Sequence, residues 1–468
     1  MVKKNTWETY SSKQLKELEK INAQYRDFLD NGKTERECID TIVNTIEKSG
    51  YRELESLIKE GTALKTGDKV YSVWMNKSIA MFQIGRKPMT EGMNILGAHI
   101  DSPRLDVKQN PLYEDGGFAY LDTHYYGGVK KYQWVTIPLA IHGVIVKKDG
   151  TCVEINIGEN EDDPVFFVSD LLIHLAQEQL EKKAAKVIEG EALDIIVGNK
   201  PLLIDKKDKK EAGKEAVKAG VLDILKETYD IHEEDFVSAE LEIVPAGKAR
   251  EAGFDRSMTL AYGQDDRVCA YTSMQAMLDS DVTDRTMCCI LVDKEEIGSV
   301  GATGMQSHFF ENAVAEVMNL TGEYSELHVR RCLAHSCMLS SDVSSAFDPT
   351  YASSFDKKNV AYLGGGMVIN KFTGARGKSG SNDANAEYLA HLRHIFDKAE
   401  VNFQTAELGK VDLGGGGTIA YILALYGMNV IDSGVAVLNM HAPWEATSKA
   451  DVYETYRGYK AFVEGASL

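Results

Sequence analysis

Apolar and polar positions follow a helical period over the first ~60 residues. One run begins at Ser11 or Ser12 and places an apolar residue every three or four positions as far as Tyr25. A second run begins after Thr34 and continues in the same way to Ile46. Ser and Thr are favoured at helix N-caps, so the pattern predicts two amphipathic helices.

The pattern changes to short strands from about Lys69. Residues 129–158 are rich in β-branched residues and are interrupted by glycines, which is typical of strands joined by turns. A helix is predicted at 169–189. From Asp235 onward, buried-type apolar runs alternate with longer helical stretches, as in a parallel sheet covered on both faces.

These shifts predict an α/β fold that is interrupted by a β-rich insert. We place the α/β domain at residues 1–104 and 241–468, and the insert at 105–240. A chain of 468 residues also exceeds the usual size of a single core, so two domains are expected.

Composition narrows the possible partners. Lys and Arg number 52 and Asp and Glu 71, for a net charge of −19, which argues against a nucleic-acid or anionic-membrane surface. No apolar run approaches the ~20 residues of a membrane span, and the first residues lack the apolar core of a secretory signal. The seven cysteines form no CxxC motif. We therefore expect a cytoplasmic protein with reduced thiols.

Metal-ligand side chains stand at the ends of several predicted strands. The carboxyl ends of parallel strands meet at one edge of a sheet, so these side chains can converge. Taken singly, each is also compatible with a strand end or a helix cap. They are His99 and Asp101 in NILGAHIDS, Asp265 in YGQDDRV, Glu295 and Glu296 in ILVDKEEIG, Asp342 in MLSSDVS, and His441 in VLNMHAP.

Together these residues make up the ligand inventory of a two-metal hydrolase. Two adjacent glutamates after an apolar strand are costly unless a cation or a proton offsets their charge. Nitrogen and oxygen donors without thiolates suit zinc, with cobalt or manganese as alternatives. We therefore expect two divalent metal ions per chain, with one glutamate left over to move protons.

Two glycine-rich segments are candidate ligand loops. The stretch Gly374–Ser379 resembles the end of a phosphate-binding loop, but Phe372 stands where that motif requires glycine, so we reject this interpretation. The segment from Asp412 to Thr418 precedes a helical stretch. The backbone amides at Gly415 and Gly416 can approach a substrate carbonyl or carboxylate, or the segment is a tight turn.

The motifs taken together resemble the M18 family of metallo-aminopeptidases, which includes aspartyl aminopeptidase and aminopeptidase I. The resemblance implies a zinc-exopeptidase-like α/β/α catalytic domain with an inserted β-rich dimerisation domain. It also implies dimers that assemble into a dodecamer, and peptide substrates with a free N-terminus. The matching stretches, in the family's order, are GAHIDSPRLDV, YGQDDRV, VDKEEIGSVGATG, SSDVSSAFDP, DLGGGGTIA and LNMHAPWE.

The resemblance also implies a role for each site residue. In that scheme Asp265 bridges two metal ions, and Glu295 is the general base that activates the shared water. The remaining roles are His99 and Asp342 on one metal, Glu296 and His441 on the other, Asp101 orienting His99, and His174 of a neighbouring protomer completing the substrate pocket.

The chain departs from the family pattern near the substrate pocket. The aspartyl aminopeptidases usually have Asp-Asn-Leu where this chain has Asp265-Asp266-Arg267, and the stretch after Ile369 lacks their Asn-Gln-Arg-Tyr run. Lys371 or Lys378 would suit an acidic first residue, yet exposed lysines are usually only solvated.

The resemblance therefore implies an aminopeptidase that removes acidic or neutral N-terminal residues. An oligosaccharide hydrolase that acts through two carboxylates is disfavoured by the two histidines at strand ends, and two alternatives remain. One is a dinuclear deacylase or carboxypeptidase of the same clan. The other is a non-catalytic assembly protein stabilised by metal, although a spare glutamate beside the cluster has little use there.

Overall fold

The computed structural model describes residues 5–202 and 215–467. Within these residues no helix is both long enough and apolar enough to cross a membrane. The described residues form two compact units.

The strands of the described chain are, in order, β1 (Arg52–Glu53), β2 (Lys69–Trp74), β3 (Ser78–Gln83), β4 (Met93–His99), β5 (Arg104–Asp115), β6 (Phe118–Tyr126), β7 (Leu139–Val146), β8 (Cys152–Ile157), β9 (Ile195–Gly198), β10 (Ala239–Pro245), β11 (Arg250–Ala252), β12 (Met258–Ala261), β13 (Thr286–Val292), β14 (Cys337–Ser341), β15 (Ser344–Ser345), β16 (Met367–Asn370), β17 (Phe403–Thr405), β18 (Asn429–Gly434), β19 (Ala436–Leu438) and β20 (Glu445–Ser448).

The α-helices are α1 (Ser12–Asn31), α2 (Glu35–Glu47), α3 (Leu54–Glu60), α4 (Gln177–Leu180), α5 (Ala184–Val187), α6 (Ala216–Tyr229), α7 (Gln264–Leu278), α8 (Phe309–Leu320), α9 (Glu326–Ala334), α10 (Ala386–Lys398), α11 (Ala420–Ala424) and α12 (Lys449–Gly465).

The first two helices begin at the predicted caps. The Ser11 side chain accepts a hydrogen bond from the amide of Gln14, and the Gln14 side chain accepts one from the amide of Ser11. Thr34 and Glu37 form the same reciprocal pair at the start of α2. Such a capping box satisfies amides that the helix itself leaves unpaired, so the local sequence alone determines these two starts.

The first unit comprises residues 1–101, 249–440 and 445–468. Of these, the structure describes residues 5–101, 249–440 and 445–467. Its main sheet has the order β1-β2-β3-β13-β4-β14-β18-β16-β17. The four central strands β13, β4, β14 and β18 are parallel to one another. Their carboxyl ends therefore lie along one edge of the sheet, as the sequence predicts.

Helices cover both faces of this sheet. In β4, Leu96 belongs to a core cluster that also contains residues of α1, α2, α7, α10 and α12, and the neighbouring Ile95 belongs to a second core cluster with residues of α3, α8, α9 and α11. Successive residues of a strand face opposite sides of its sheet, so the two clusters lie on the two faces. Strands buried on both faces read as continuous apolar runs, which explains their sequence pattern. The predicted α/β class is confirmed. A second sheet of the same unit has the order β11-β12-β20-β19-β15.

The second unit comprises residues 102–248 and 441–444. Its antiparallel sheet has the order β8-β7-β10-β5-β6-β9. The predicted insert boundaries, 105 and 240, both fall within this unit. The assignment of the insert to dimerisation stays a prediction.

The predicted long helix at 169–189 is wrong. That stretch forms a 3-10 turn at Ile173–Leu175 followed by the short helices α4 and α5. The apolar residues Leu172, Ile173 and Leu175 are exposed. A helix in a protein is stabilised mainly by packing of its apolar face, and these residues supply no such packing within this unit.

Candidate metal centre

His99 ends β4 with one ring nitrogen fixed and the other facing carboxylates. Its Nδ1 lies 3.0 Å from the backbone oxygen of Asp101, and because a carbonyl only accepts, Nδ1 is the protonated nitrogen. The lone pair is therefore on Nε2. That atom lies 3.4 Å from Asp265 Oδ1 and 3.9 Å from Glu295 Oε2.

Asp101 connects the histidine to the glutamate pair. Its Oδ1 accepts a hydrogen bond from the amide of Glu295 and its Oδ2 accepts one from the amide of Glu296, both at 3.1 Å. The same Oδ1 lies 3.3 Å from His99 Nδ1. Since the Asp101 side chain is fully buried, it fixes the backbone of the glutamates relative to the imidazole.

Glu295 and Glu296 lie in a 3-10 turn, Glu295–Ile297, that follows β13. The preceding residue, Lys294, has φ of 70°, a left-handed conformation that turns the chain sharply at the strand end. The Glu295 side chain is 15% exposed, so it is partly accessible to solvent.

Asp265 lies at the start of α7, where the backbone of Asp265 and Asp266 is not helical and the peptide bond between them is cis. The amide of Asp265 donates to Glu445 Oε2 at 2.9 Å. Two residues on, the buried Arg267 donates from Nε to the carbonyl oxygen of Ile100 at 3.2 Å. These contacts tie the start of α7 to β20 and to the end of β4.

Side chains from four elements of the first unit therefore form one cluster. Asp342, directly after β14, completes it, and its amide donates to Ser433 O at 3.0 Å. Within each of three groups the ligand atoms lie within 4.8 Å of one another, the groups being His99, Glu295 and Asp342; His99, Asp265 and Glu296; and Asp265, Asp266 and Asp342.

The electrostatics of the cluster favour a cation. Burial, reinforced by the charge of Asp266, raises the pKa of Asp342 well above its usual value. Burial also raises the pKa of Asp266 well above its usual value. Burial alone would lower the pKa of His99, but the carboxylates of Asp101 and Asp265 raise it well above its usual value. Each shift shows that the ionised carboxylates are stable here only beside positive charge.

The donor set fits zinc by type and by spacing. Ligand atoms held at ~2.1 Å from a tetrahedral ion lie about 3.4 Å apart, which is the distance between His99 Nε2 and Asp265 Oδ1. The lone pairs of His99 Nε2 and Asp265 Oδ1 repel each other at this distance unless a proton or a cation lies between the two atoms. The residues present therefore fit a divalent metal, and one that prefers nitrogen and oxygen.

The other two predicted histidines belong to the second unit. His441 Nδ1 lies 2.9 Å from the carbonyl oxygen of Gly128, so Nδ1 carries the proton and the lone pair is on Nε2. His174 lies exposed in the turn Ile173–Leu175. The roles assigned to these two residues stay predictions.

The two predicted substrate lysines share one partner. Lys371 Nζ and Lys378 Nζ each lie 2.7 Å from a carboxylate oxygen of Asp383. In the glycine-rich segment, Gly415 has φ of +125°, and a Cβ there would lie 2.4 Å from the Cα of Ala375. Gly415 therefore has a packing reason to be glycine, which is independent of any substrate.

Two residues of the site were not predicted from the sequence. Asp266 is fully buried, and among the described residues neither of its carboxylate oxygens accepts a hydrogen bond of normal geometry. Glu445 is buried and binds the amide of Asp265. Acidic residues are rarely buried without a partner, so an acidic residue within an otherwise buried stretch is the signal that would have identified Asp266 and Glu445.

Comparison with known proteins places the chain among aminopeptidases. The sequence model of the family described as "Aminopeptidase I zinc metalloprotease (M18)" matches residues 28–463. The chain is 64% identical over 460 residues to a "Probable M18 family aminopeptidase 1" of Clostridium acetobutylicum, covering 98% of each chain.

Solved structures agree with the sequence comparison. The crystal structure of an M18 family aminopeptidase from Thermotoga maritima superposes with a TM-score of 0.93 at 44% identity and covers 100% of both chains. The crystal structure of aminopeptidase I from Clostridium acetobutylicum superposes with a TM-score of 0.90 at 61% identity, covering 99% of this chain and 100% of that one.

Proposed function

Because the chain belongs to the M18 family of zinc aminopeptidases and is therefore a metallo-aminopeptidase, we propose that its reaction takes place at the cluster around His99. The observation that carries this proposal is the convergence of His99, Asp265, Glu295, Glu296 and Asp342 at one edge of the parallel sheet. The family is a zinc metalloprotease family, in agreement with the donor set.

We propose that each chain holds two zinc ions. In this scheme His99 and Asp342 would hold one ion, Glu296 and His441 would hold the other, and Asp265 would be the ligand shared by both. Asp265 shares one ligand group with His99 and Glu296 and another with Asp342, so its carboxylate lies near residues assigned to both ions, which supports the bridging role. Bound zinc supplies Lewis acidity and lowers the pKa of water in its coordination shell.

Glu295 is the general base in this proposal. Its side chain is partly exposed, and Oε2, 3.9 Å from His99 Nε2, takes a proton from the attacking water and later returns it to the leaving amine. Asp101 holds the amides of Glu295 and Glu296 and keeps the proton of His99 on Nδ1, so that Nε2 presents its lone pair.

The substrates are peptides with a free N-terminus. Asp383 pairs with both Lys371 and Lys378 and offsets one of their two charges, so an acidic substrate side chain must compete with that carboxylate for the lysines. This favours neutral first residues over acidic ones, and the glycine-rich segment around Gly415 and Gly416 is proposed to contact the substrate backbone.

Dipeptides of different first residues test this proposal. The assay compares Asp-, Glu-, Leu- and Lys-X dipeptides and their N-acetylated forms, before and after removal of metal and with zinc restored. We expect zinc-dependent cleavage of free N-termini only, with Leu-X ahead of Asp-X. Cleavage of the acetylated forms would instead establish a deacylase.

The variant Glu295→Gln isolates the general base within the same assay. Glutamine keeps the shape of the side chain and removes its basicity, so we expect kcat to fall by roughly 10²–10⁴-fold while two zinc ions per chain remain bound. Full turnover in this variant would remove Glu295 from the base role. The variant Asp265→Ala serves as the comparison, because it removes a proposed zinc ligand. Its zinc content per chain should fall, unlike that of Glu295→Gln.

We also propose that the chain forms homo-oligomers, with dimers that assemble into a dodecamer, and that it acts in the cytoplasm. All seven cysteines lie in the described residues and are free thiols, which supports a reducing compartment. Support for assembly comes from the second unit, where a run of large apolar side chains is exposed, namely Val165, Phe167, Leu171, Leu172, Ile173, Leu175 and Leu180.

A further inference from the structure

A buried carboxylate outside the metal cluster binds the end of the glycine-rich segment. Asp432 lies in β18 and is almost fully buried. Its Oδ1 accepts a hydrogen bond of 2.6 Å from the hydroxyl of Thr418. Thr418 directly follows the four glycines 414–417, so this bond fixes the chain where the segment ends.

The rest of the Asp432 carboxylate lies against Ser340. The two residues are directly opposite each other on the parallel strands β14 and β18. Asp432 Oδ2 and Ser340 Oγ are both buried, and among the described residues neither forms a hydrogen bond of normal geometry. Burial raises the pKa of Asp432 to about 7. Burying an ionised carboxylate at this position costs free energy, and the hydrogen bond from Thr418 offsets part of that cost.

Thr418 in turn lies close to the strand that carries His99. Its Oγ1 accepts a hydrogen bond from the amide of Ala420 at 3.3 Å, and the next residue, Ile419, packs above Gly97. A Cβ at Gly97 would lie 3.4 Å from Ile419 Cδ1, and Gly97 is two residues before His99 in β4. The end of the glycine-rich segment is therefore held next to the metal-binding edge of the sheet.

We propose that Asp432 is a positioning residue: its carboxylate holds the Thr418 hydroxyl and thereby fixes the glycine-rich segment Gly414–Gly417 in the place where it contacts substrate. The inference rests on the proposed aminopeptidase site. Asp432 itself touches neither substrate nor metal and acts only through Thr418. Close packing of Gly415 against Ala375 holds the middle of the segment, and the Thr418 bond fixes its end, so the two contacts together set where its amides point.

The variant Thr418→Val tests the inference, because valine keeps the shape of threonine and removes the hydroxyl. We expect KM for a good dipeptide to rise on the order of tenfold, with kcat changed much less and zinc content unchanged. Thr418→Ser restores the hydroxyl and should restore KM. Thr45→Val, which removes a hydroxyl that binds only its own helix at Thr41 O, is the matched control and should leave KM within about twofold of wild type.

Asp432→Ala supplies the second measurement, and it decides the matter where Thr418→Val does not fold. Alanine removes both acceptor oxygens, so KM should rise on the order of tenfold, as in Thr418→Val. An unchanged KM in Asp432→Ala, or a KM in Thr418→Ser as high as in Thr418→Val, would overturn the inference. Wild-type turnover tests the proposed function independently: if wild type cleaves no peptide, both fall, whereas normal wild-type turnover with unaltered variants rejects the inference alone.

Discussion

At the scale of single residues, Asp101 determines how well the cluster is organised. One buried carboxylate receives two backbone amides and lies beside the ring of His99. Each of its oxygens accepts a hydrogen bond from one amide, so both bonds are kept only in this orientation and in the one that exchanges the two equivalent oxygens. The proposed ligand His99 and the glutamate pair after β13 are therefore positioned by the same group, although they come from the ends of different strands.

We expect Asp101→Asn to weaken zinc binding by roughly 10–100-fold. The asparagine amide nitrogen cannot accept a hydrogen bond, so one of the two glutamate amides loses its acceptor. Competition with a chelator of known affinity measures the effect without any activity assay. Asp284→Asn, an exposed carboxylate paired with Arg86, is the matched control. Zinc affinity equal to wild type in Asp101→Asn would mean that Asp101 does not organise the site.

At the scale of elements, local sequence determines the start of α1. The capping box of Ser11 and Gln14 satisfies amides at the first turn. We expect Ser11→Ala to lower the free energy of unfolding by about 1 kcal/mol, measured by urea denaturation. Ser12→Ala changes the first helical residue instead of the cap and should have almost no effect. Equal losses in the two variants would contradict the cap.

Elements and site residues with a local signal could be predicted from the sequence. The caps at Ser11 and Thr34 are encoded within three residues, and the apolar runs of β4 and β13 mark buried parallel strands. His99, Glu295, Glu296 and Asp342 follow such runs, so their convergence follows from topology. Their roles stay predictions, which the variants above test.

Features that depend on distant partners could not be predicted in this way. Glu445 matters because β20 lies beside the start of α7, and no spacing in the sequence expresses that contact. The sharing of Asp383 by Lys371 and Lys378 depends on how the loop 371–383 folds back on itself. The predicted helix at 169–189 was wrong because the apolar residues of that stretch are not buried within their own unit, and the sequence pattern does not show where an apolar residue is buried.

At the scale of the whole molecule, the net charge and the exposed apolar surface have opposite effects on the association of identical chains. A net charge of −19 opposes association of identical chains, most strongly at low ionic strength. The exposed apolar run between Val165 and Leu180 favours it, because apolar surface of this extent on one segment is unusual on a monomer. Assembly therefore requires that the apolar contact outweigh the repulsion, and it should strengthen with added salt.

The centre of that run gives the sharpest test of assembly. Ile173 and Leu175 are 67% and 68% exposed, so the double variant Ile173→Asp, Leu175→Asp should fold normally in each chain. Two new charges per chain in an apolar interface are costly to bury, so we expect a smaller particle by sedimentation velocity than for wild type. Leu327→Asp, an exposed leucine on α9, is the control and should leave the mass unchanged. If the double variant sediments as wild type does, or if wild type is already a monomer, this surface does not join the chains.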